Sequence, residues 1–465
     1  MLKDDQPGKR IRDPLYGFIR VDREDLRLID HKIVQRLRWV SQLPLEQLVY
    51  PSAQHSRFEH SLGTMHLAGI AANSLVYNSK ERFQEACAEA PSFAGADFQK
   101  QSGLFVRCAR WSGLLHDLGH APFSHTFEDA CKYSSHAGIS YDHEEYGFFL
   151  ARQVFEELGD MDNTASSTVL RVLNKNISFS DLYPPEMLMR RIIDGSLDVD
   201  KGDYLHRDSY HCGVNYGIYD RDFLWENVVI TENFQLGVTP KAALEAWSLT
   251  LARHKMHQYV YKHHIRNITD ALLVEILNLA FEKPGNDKEV RDILPLQHKD
   301  DVRLGEHILK FVHWTDNSLL KSLDAINDPA ISSRIESFSS RRLYKRGFAL
   351  NLNMYPNFIG NDAEIMQRLS ALQKEMAAKG IEWNSIPVQE TLIPIFTKQV
   401  QLDILVQKDI NKEIPLAEFL DFGVSKDDIL EKGDVYLHVF IQQSSMCHKK
   451  EISEKIVEIM QDFNS

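Results

Sequence analysis

Cysteine is scarce in this 465-residue chain. The five present (Cys87, Cys108, Cys131, Cys212 and Cys447) form no Cys-x-x-Cys pair. That excludes a disulfide scaffold and a thiolate zinc site, and reads as reduced thiols in a cytoplasmic protein. Long apolar runs are missing too, and no stretch approaches the ~20 residues of a membrane helix. The N-terminus, Met-Leu-Lys-Asp-Asp-Gln-Pro, has no apolar core and does not read as a signal peptide. Positive charge is outweighed: 53 Lys and Arg stand against 66 Asp and Glu, a formal net charge of -13. A surface of that sign does not coat nucleic acid, so neither nucleic acid nor membrane is an expected partner. A buried basic pocket for a phosphorylated small molecule remains compatible with it.

Helical periodicity is what the sequence does contain. Leu26, Ile29, Ile33, Leu37 and Val40 recur at three- or four-residue spacing and predict one amphipathic helix. Comparable runs predict helices over 61–78, 103–118, 143–158, 186–193, 240–261 and 265–281. Residues 10–21 and 228–237 read as short hairpins. Beyond about residue 330, β-branched and aromatic runs at 343–354, 388–396, 401–406 and 435–441 alternate with helical stretches at 363–379 and 450–463. The expected fold is mainly α: a large helical core over 1–330 and a smaller α+β region over 331–465 with an assembly or regulatory role. Pro284-Gly285-Asn286-Asp287 marks a loop at the edge of the core.

Histidine is the informative residue, since eight of 20 fall between His55 and His143. Leu114-Leu115-His116-Asp117-Leu118-Gly119-His120 places an imidazole and a carboxylate side by side at the end of an apolar helical run. His60 upstream and Asp200 downstream complete a mixed N/O set, His60, His116, Asp117 and Asp200, suited to Mn, Fe, Mg or Zn. Open positions on such an ion suit phosphoester hydrolysis, because the cation acidifies water and polarises phosphorus. A second cluster, His120, His125, Glu128 and His143, offers imidazoles for phosphate oxygens or for proton donation to a leaving group, with Glu128 placed to orient His143. His136 lies in the same stretch. Asp200, Tyr204 and Asp208, spaced four apart, share one helix face, as do Arg253, His257 and Tyr261. The second ladder is a poor core stripe and a good wall for phosphate, sugar and base.

These residues resemble the HD-domain phosphohydrolases, in particular the deoxynucleoside triphosphate triphosphohydrolases of the SAM-and-HD-domain type and their bacterial relatives. The resemblance rests on Asp13-Pro14-Leu-Tyr-Gly17, Gln35-Arg36-Leu37-Arg38, Arg57-Phe58-Glu59-His60-Ser61-Leu62-Gly63, His116-Asp117-Leu-Gly-His120-Ala-Pro122-Phe123-Ser124-His125 and Asp198-Val-Asp200-Lys201-Gly-Asp-Tyr204. It covers residues 9 to 280 well and the remainder loosely. No SAM domain is expected ahead of the HD core, since about eight residues precede Lys9.

The resemblance implies a metal on His60, His116, Asp117 and Asp200. It implies His143, supported by Glu128, as general acid to the 5′ oxygen, with His120 and His125 beside it. Arg57, His120, His125, Lys201 and Arg253 would bind the triphosphate. Gln42, Leu43, Tyr204 and Asp208 would read the deoxyribose, and His257 and Tyr261 would face base and sugar. Water attack at the α-phosphorus would release a deoxynucleoside and tripolyphosphate. The alternatives are an HD-type enzyme acting on nucleoside monophosphates or other phosphoesters, and a non-catalytic nucleotide-sensing module. Glu128 stands where the best-known members often have Asp, and Lys262 stands where a base-contacting Gln is known. Lys9, Asp30, Gln35 and Arg38 match the family's guanine-nucleotide activator site, and Arg341 and Lys345 resemble its phosphate-binding pair, implying activation by GTP or a dNTP. Family members are commonly dimers or tetramers, so a homo-oligomer is implied.

Overall fold

The chain opens on an antiparallel hairpin, Lys9–Asp13 (β1) against Gly17–Val21 (β2), with Ile11 facing Ile19. The structure is a computed structural model, described here for residues 8–132, 141–283, 311–355, 362–389, 404–409, 412–420 and 435–462. Helices follow: Arg23–Ile29 (α1), Lys32–Arg36 (α2), Arg57–Asn78 (α3), Lys80–Ala88 (α4), Phe98–Leu115 (α5), His125–Lys132 (α6), His143–Leu158 (α7), Asn163–Leu173 (α8), Pro184–Ile193 (α9), Val199–Cys212 (α10), Arg221–Glu226 (α11), Ala243–Met256 (α12) and His264–Phe281 (α13).

The single helix expected from Leu26 to Val40 is broken into α1, α2 and a 3-10 turn, Leu37–Trp39. The break is a capping choice. His31 is extended, and its Nδ1 accepts from the Ile33 N–H at 3.3 Å, which starts a new helix rather than continuing the old one.

The centre of the molecule is α3, buried on most sides from Phe58 and Leu62 to Leu75 and Val76. A helix buried all round shows little amphipathic period. It packs against α5 at close range, because Gly113 carries no side chain: a Cβ there would stand 2.9 Å from the Thr64 carbonyl oxygen. On another side α10 crosses it, and a Cβ at Gly63 would stand 1.9 Å from Asp203 Oδ1. The core thus brings the start of α3, the end of α5 and the start of α10 to one place.

Asp316–Ala325 (α14) and Pro329–Ser339 (α15) pack with α13, joined by Leu319, Leu323 and Ile331. Val228–Ile230 (β3) pairs antiparallel with Leu236–Val238 (β4). Lys345–Asn351 (β5), Trp383–Gln389 (β6) and Val435–Ile441 (β9) form a sheet in the order β5-β9-β6. It is backed by Asp362–Ala377 (α16) and Lys449–Asp462 (α17) through Leu369, Met376, Val439, Ile452 and Ile456. Leu405–Asp409 (β7) pairs parallel with β4, Gly237 facing Leu405, and antiparallel with Lys412–Pro415 (β8). The fold is mainly α, as expected. The strand reading at 388–396 falls largely outside the described residues, as do the loop at Pro284 and His136. No described helix is long and apolar enough to cross a membrane.

Candidate metal centre and nucleotide cleft

Three helix ends supply the metal set. Arg57 and His60 lie on the first turn of α3. His116 follows the last turn of α5, where the negative end of the helix dipole favours a cation. Asp200 is the second residue of α10, whose N-cap Asp198 accepts from the Lys201 N–H at 2.8 Å. His60 Nε2 stands 2.9 Å from Asp200 Oδ1 and 3.7 Å from Asp117 Oδ2. His116 Nε2 stands 3.3 Å from Asp117 Oδ1 and 3.5 Å from Asp200 Oδ1.

These residues fit a divalent cation. Both Nε2 atoms are buried and carry no hydrogen bond among the described residues, which is costly for an imidazole unless another ligand completes it. Their Nδ1 atoms are engaged: His116 Nδ1 with the Gly113 carbonyl at 2.8 Å and His60 Nδ1 with Asp203 Oδ2 at 2.9 Å. Each Nε2 is therefore left as the lone-pair donor a metal needs. Burial pulls the His60 pKa down, but Asp200 and Asp203 outweigh it and lift it to about 10, so in the absence of a cation Nε2 carries a proton that a bound cation would replace. Burial opposes ionisation of Asp200, yet the imidazoles of His116 and His60 beside it hold it far below the usual carboxylate range. The site is built around positive charge.

The support behind His60 is a feature the sequence reading did not assign. Asp203, fully buried, takes Arg207 Nε at 2.8 Å and Nη2 at 2.9 Å, and accepts from the Tyr16 hydroxyl at 2.8 Å. Arg207 Nη1 reaches Asp13 Oδ2 at 3.0 Å. Asp203 and Arg207 are four apart on α10, a spacing that signals an ion pair but not what it supports.

The second cluster also converges. Phe123 and Ser124 both hold positive φ (58° and 50°), turning the chain so that α6 begins at His125. Glu128, one turn on, takes His125 Nδ1 at 2.9 Å and His143 Nδ1 at 2.6 Å, and accepts from the His143 N–H at 3.0 Å. The His120 and His143 rings stack at 4.1 Å, and His125 stands edge-on to both. Burial depresses His143, but its bonds to Glu128 prevail and raise its pKa. Gly119 is required here, since a Cβ would stand 1.9 Å from the His143 carbonyl oxygen.

A cleft of about 530 Å³ runs from the metal set past Gln42, Leu43, Arg57, Lys201, Tyr204, Asp208, Arg253, His257 and Tyr261. Asp208 accepts from the Tyr261 hydroxyl at 2.7 Å and contacts His55 Nε2 at 2.8 Å, a partner the sequence reading left unassigned. Tyr204 and Tyr261 meet edge to face, their ring centroids 6.2 Å apart. A π-helical turn, His257–Tyr261, follows α12 and carries the lower part of the Arg-His-Tyr ladder into the cleft. Burial, with Arg253 and Lys262 nearby, drops the His257 pKa to about 3, so it stands neutral. Arg57 bonds Asp117 Oδ2 at 2.5 Å and Ser124 Oγ at 2.9 Å. Lys201 lines the cleft, but its ammonium is held by Asp198 and by the Gly195 carbonyl. Seven basic side chains (Arg57, Lys175, Arg190, Lys201, Arg253, Lys262, Arg266) and seven acidic ones (Glu46, Asp117, Asp129, Glu144, Asp194, Asp200, Asp208) line it. A divalent ion therefore makes the cleft net positive inside a chain of net charge -13.

The residues matched to an activator site lie apart from this cleft. Gln35 Nε2 donates to the Ile29 carbonyl and Arg38 Nε to Gln35 Oε1, both at 2.7 Å. Asp30 closes α1, and Lys9 is exposed on β1. Arg341 and Lys345 line a separate cavity of about 220 Å³ with His264, Ile268, Tyr344 and Arg346, to which Gln35 and Arg38 do not contribute.

The family model described as HD domain matches residues 57–208. An uncharacterized protein of Methanocaldococcus jannaschii is 34% identical over 322 residues, covering 69% of this chain and 58% of that protein. Human deoxynucleoside triphosphate triphosphohydrolase SAMHD1 is 26% identical over 369 residues, covering 72% of this chain and 54% of that one. The bovine SAMHD1 is 25% identical, covering 78% and 60%. The chain thus spans less than two thirds of the length of these curated relatives. A crystal structure of a hypothetical protein from Aquifex aeolicus superposes with a TM-score of 0.65 at 25% identity, over 96% of this chain and 99% of that one. A phosphohydrolase from Bacteroides thetaiotaomicron, at 22% identity and a TM-score of 0.68, shares the fold. His60, His116, Asp117 and Asp200 all fall inside the matched span, and residues 57–208 of this chain form an HD domain.

Proposed function

We propose that this chain is a metal-dependent phosphohydrolase that cleaves deoxynucleoside triphosphates into deoxynucleoside and tripolyphosphate. The observation that carries the reading is the convergence of His60, His116, Asp117 and Asp200 on a cleft whose walls also carry Arg57, Lys201, Arg253, Tyr204 and Tyr261. The SAMHD1 relatives, named as deoxynucleoside triphosphate triphosphohydrolases, support it.

His60, His116, Asp117 and Asp200 would hold a divalent cation, which would supply Lewis acidity toward the phosphate oxygens and a more acidic water. The chain's own residues do the rest. Arg57 and Arg253 meet the phosphate oxygens, and Lys201 adds charge from its buried pair with Asp198. His143, its Nδ1 held by Glu128, donates a proton from Nε2 to the departing 5′ oxygen. Gln42, Leu43, Tyr204 and Asp208 enclose the deoxyribose, where a 2′-hydroxyl would be buried unpartnered at a cost of roughly 1–3 kcal/mol. The basic lining favours a long phosphate chain over a monophosphate. Nucleotide activation belongs to the same reading, with Arg341, Lys345 and Arg346 lining the smaller cavity.

Turnover of each dNTP with Mn or Mg, alone and with GTP, tests this by product chromatography. Tripolyphosphate is the expected product. Orthophosphate or pyrophosphate as the sole product, or undiminished activity in a His116→Ala, Asp117→Ala double variant, would sink it.

A further inference from the structure

His55 does not line the cleft, yet it holds two residues that do, Gln42 and Asp208. Segments 40–42 and 55–57 run antiparallel as a short ladder, with Ser41 facing Ser56. In it the Gln42 N–H donates to the His55 carbonyl at 3.0 Å, and the Arg57 N–H donates to the Val40 carbonyl at 2.9 Å. The His55 side chain reaches α10, where its Nε2 stands 2.8 Å from Asp208 Oδ1. His55 is 3% exposed and Asp208 1%. The His211 ring, one turn beyond Asp208 on α10, stacks on His55 with centroids 4.3 Å apart and planes 9° apart. Backbone pairing and ring stacking together fix where the imidazole points.

These contacts limit what Asp208 can do. Its Oδ2 accepts from the Tyr261 hydroxyl at 2.7 Å, so each carboxylate oxygen is pinned by one partner. A carboxylate only accepts, so His55 Nε2 donates. His55 Nδ1, buried and without a hydrogen-bond partner among the described residues, is then the bare nitrogen. Each Asp208 oxygen keeps a second lone pair, so the carboxylate has room for one more donor from the cleft. Gln42 is 9% exposed, and its Oε1 also lacks a partner among the described residues. The phosphate oxygens of a nucleotide are repelled by a carboxylate. The sugar of a dNTP carries one free hydroxyl, at the 3′ position, which donates one hydrogen and can accept from an amide. Asp208 stands two turns beyond Asp200 with Tyr204 between them on one helix face, the place for a sugar whose phosphates lie at the metal ligands.

We propose that His55 is a positioning residue, which through Asp208 and Gln42 sets the demand for a 3′-hydroxyl on the sugar. The proposal rests on the dNTP reading above and deepens it: a side chain that never meets the substrate controls how tightly the sugar is gripped. Without the imidazole, Asp208 keeps only Tyr261 and can rotate out of register. That loss falls on substrates bearing the 3′ oxygen and spares those without it, whereas a clamp that only stabilised the fold would weaken both alike.

The test compares the dNTP turned over best with its 2′,3′-dideoxy counterpart, the latter followed as substrate and as competitive inhibitor, in the full chain and in His55→Leu and His55→Gln. Metal content and melting temperature are followed in each. In His55→Leu, kcat/KM for the dNTP is expected to fall about tenfold, carried mainly by KM, while the Ki of the dideoxynucleotide and the metal content stay as in the wild type. His55→Gln, whose amide donates from near the place of Nε2, keeps most of the wild-type value. In an Asp208→Asn background, His55→Leu adds no further loss. Should His55→Leu fail to fold, His55→Asn, whose amide stops short of Asp208, takes its place. Equal weakening of dNTP and dideoxynucleotide, an unchanged KM for the dNTP in the folded variant, or wild-type binding of the dideoxynucleotide as tight as that of the dNTP overturns this inference alone. Absence of turnover of any dNTP overturns the functional reading itself, and this inference with it.

Discussion

Asp203 Oδ2 stands 2.9 Å from His60 Nδ1, and both side chains are fully buried. That contact fixes the tautomer and leaves Nε2 bare toward Asp200 and Asp117. Asp203→Asn keeps the shape and removes the charge. Metal affinity is expected to fall roughly 10–100-fold, read as metal retained after dialysis, with activity restored by excess Mn. Wild-type metal retention would remove Asp203 from this role.

Arg207 ties Asp203 to Asp13 with no exposure to water. Arg207→Met leaves the buried carboxylates of Asp203 and Asp13 without their guanidinium and should cost roughly 3–5 kcal/mol, seen as a lowered denaturation midpoint. The pH dependence has a definite sign. Burial opposes ionisation of Asp203, but Arg207 and His60 hold its pKa below the ordinary value. The stability it contributes is therefore present above about pH 4 and is lost as pH falls further. Asp203→Asn should flatten that acid limb.

Glu128 is predicted to set the working range of His143. The general acid must be protonated, so kcat falls as pH rises through the raised His143 pKa. Glu128→Gln keeps an acceptor for His143 Nδ1 but removes the charge that helps raise its pKa, so the fall should move to lower pH. A drop of roughly 10²–10⁴ in kcat accompanies it with KM little altered. A pH–rate profile that keeps its alkaline limb in place would count against the pairing.

Gly119→Ala tests the seat of His143. The added methyl meets the His143 carbonyl, a backbone atom that cannot swing aside. A loss of about 1–3 kcal/mol and a fall in kcat larger than any change in metal content are expected from calorimetry and kinetics.

Chelation should also destabilise the fold. The quartet holds two buried, unpartnered imidazole nitrogens beside ionised carboxylates, so a cation binds the native state and not the unfolded chain. The melting temperature is expected to drop with chelator and return with added Mn, and to ignore both in His116→Ala, Asp117→Ala.

The sequence by itself determined the kind of chemistry. Imidazole and carboxylate at His116-Asp117, with His60 and Asp200, are types few structural roles demand together. The four-residue spacing of Asp200, Tyr204 and Asp208 fixed their common face before any tertiary contact was known. The helices near 61–78, 103–118, 143–158, 186–193 and 265–281 were legible for the same periodic reason, whereas those at Lys80–Ala88, Asn163–Leu173, Asp316–Ala325 and Pro329–Ser339 were not; nor was the break at His31, because a side-chain cap competes with a run of good spacing. Tertiary structure alone decided what stands behind each group. Asp203 reaches His60 across 143 positions, His55 reaches Asp208 across 153, and Arg266 meets Glu46 from a distant helix. Local spacing carries no record of such partners, since they are selected by which helices pack together and by where glycine lets them approach.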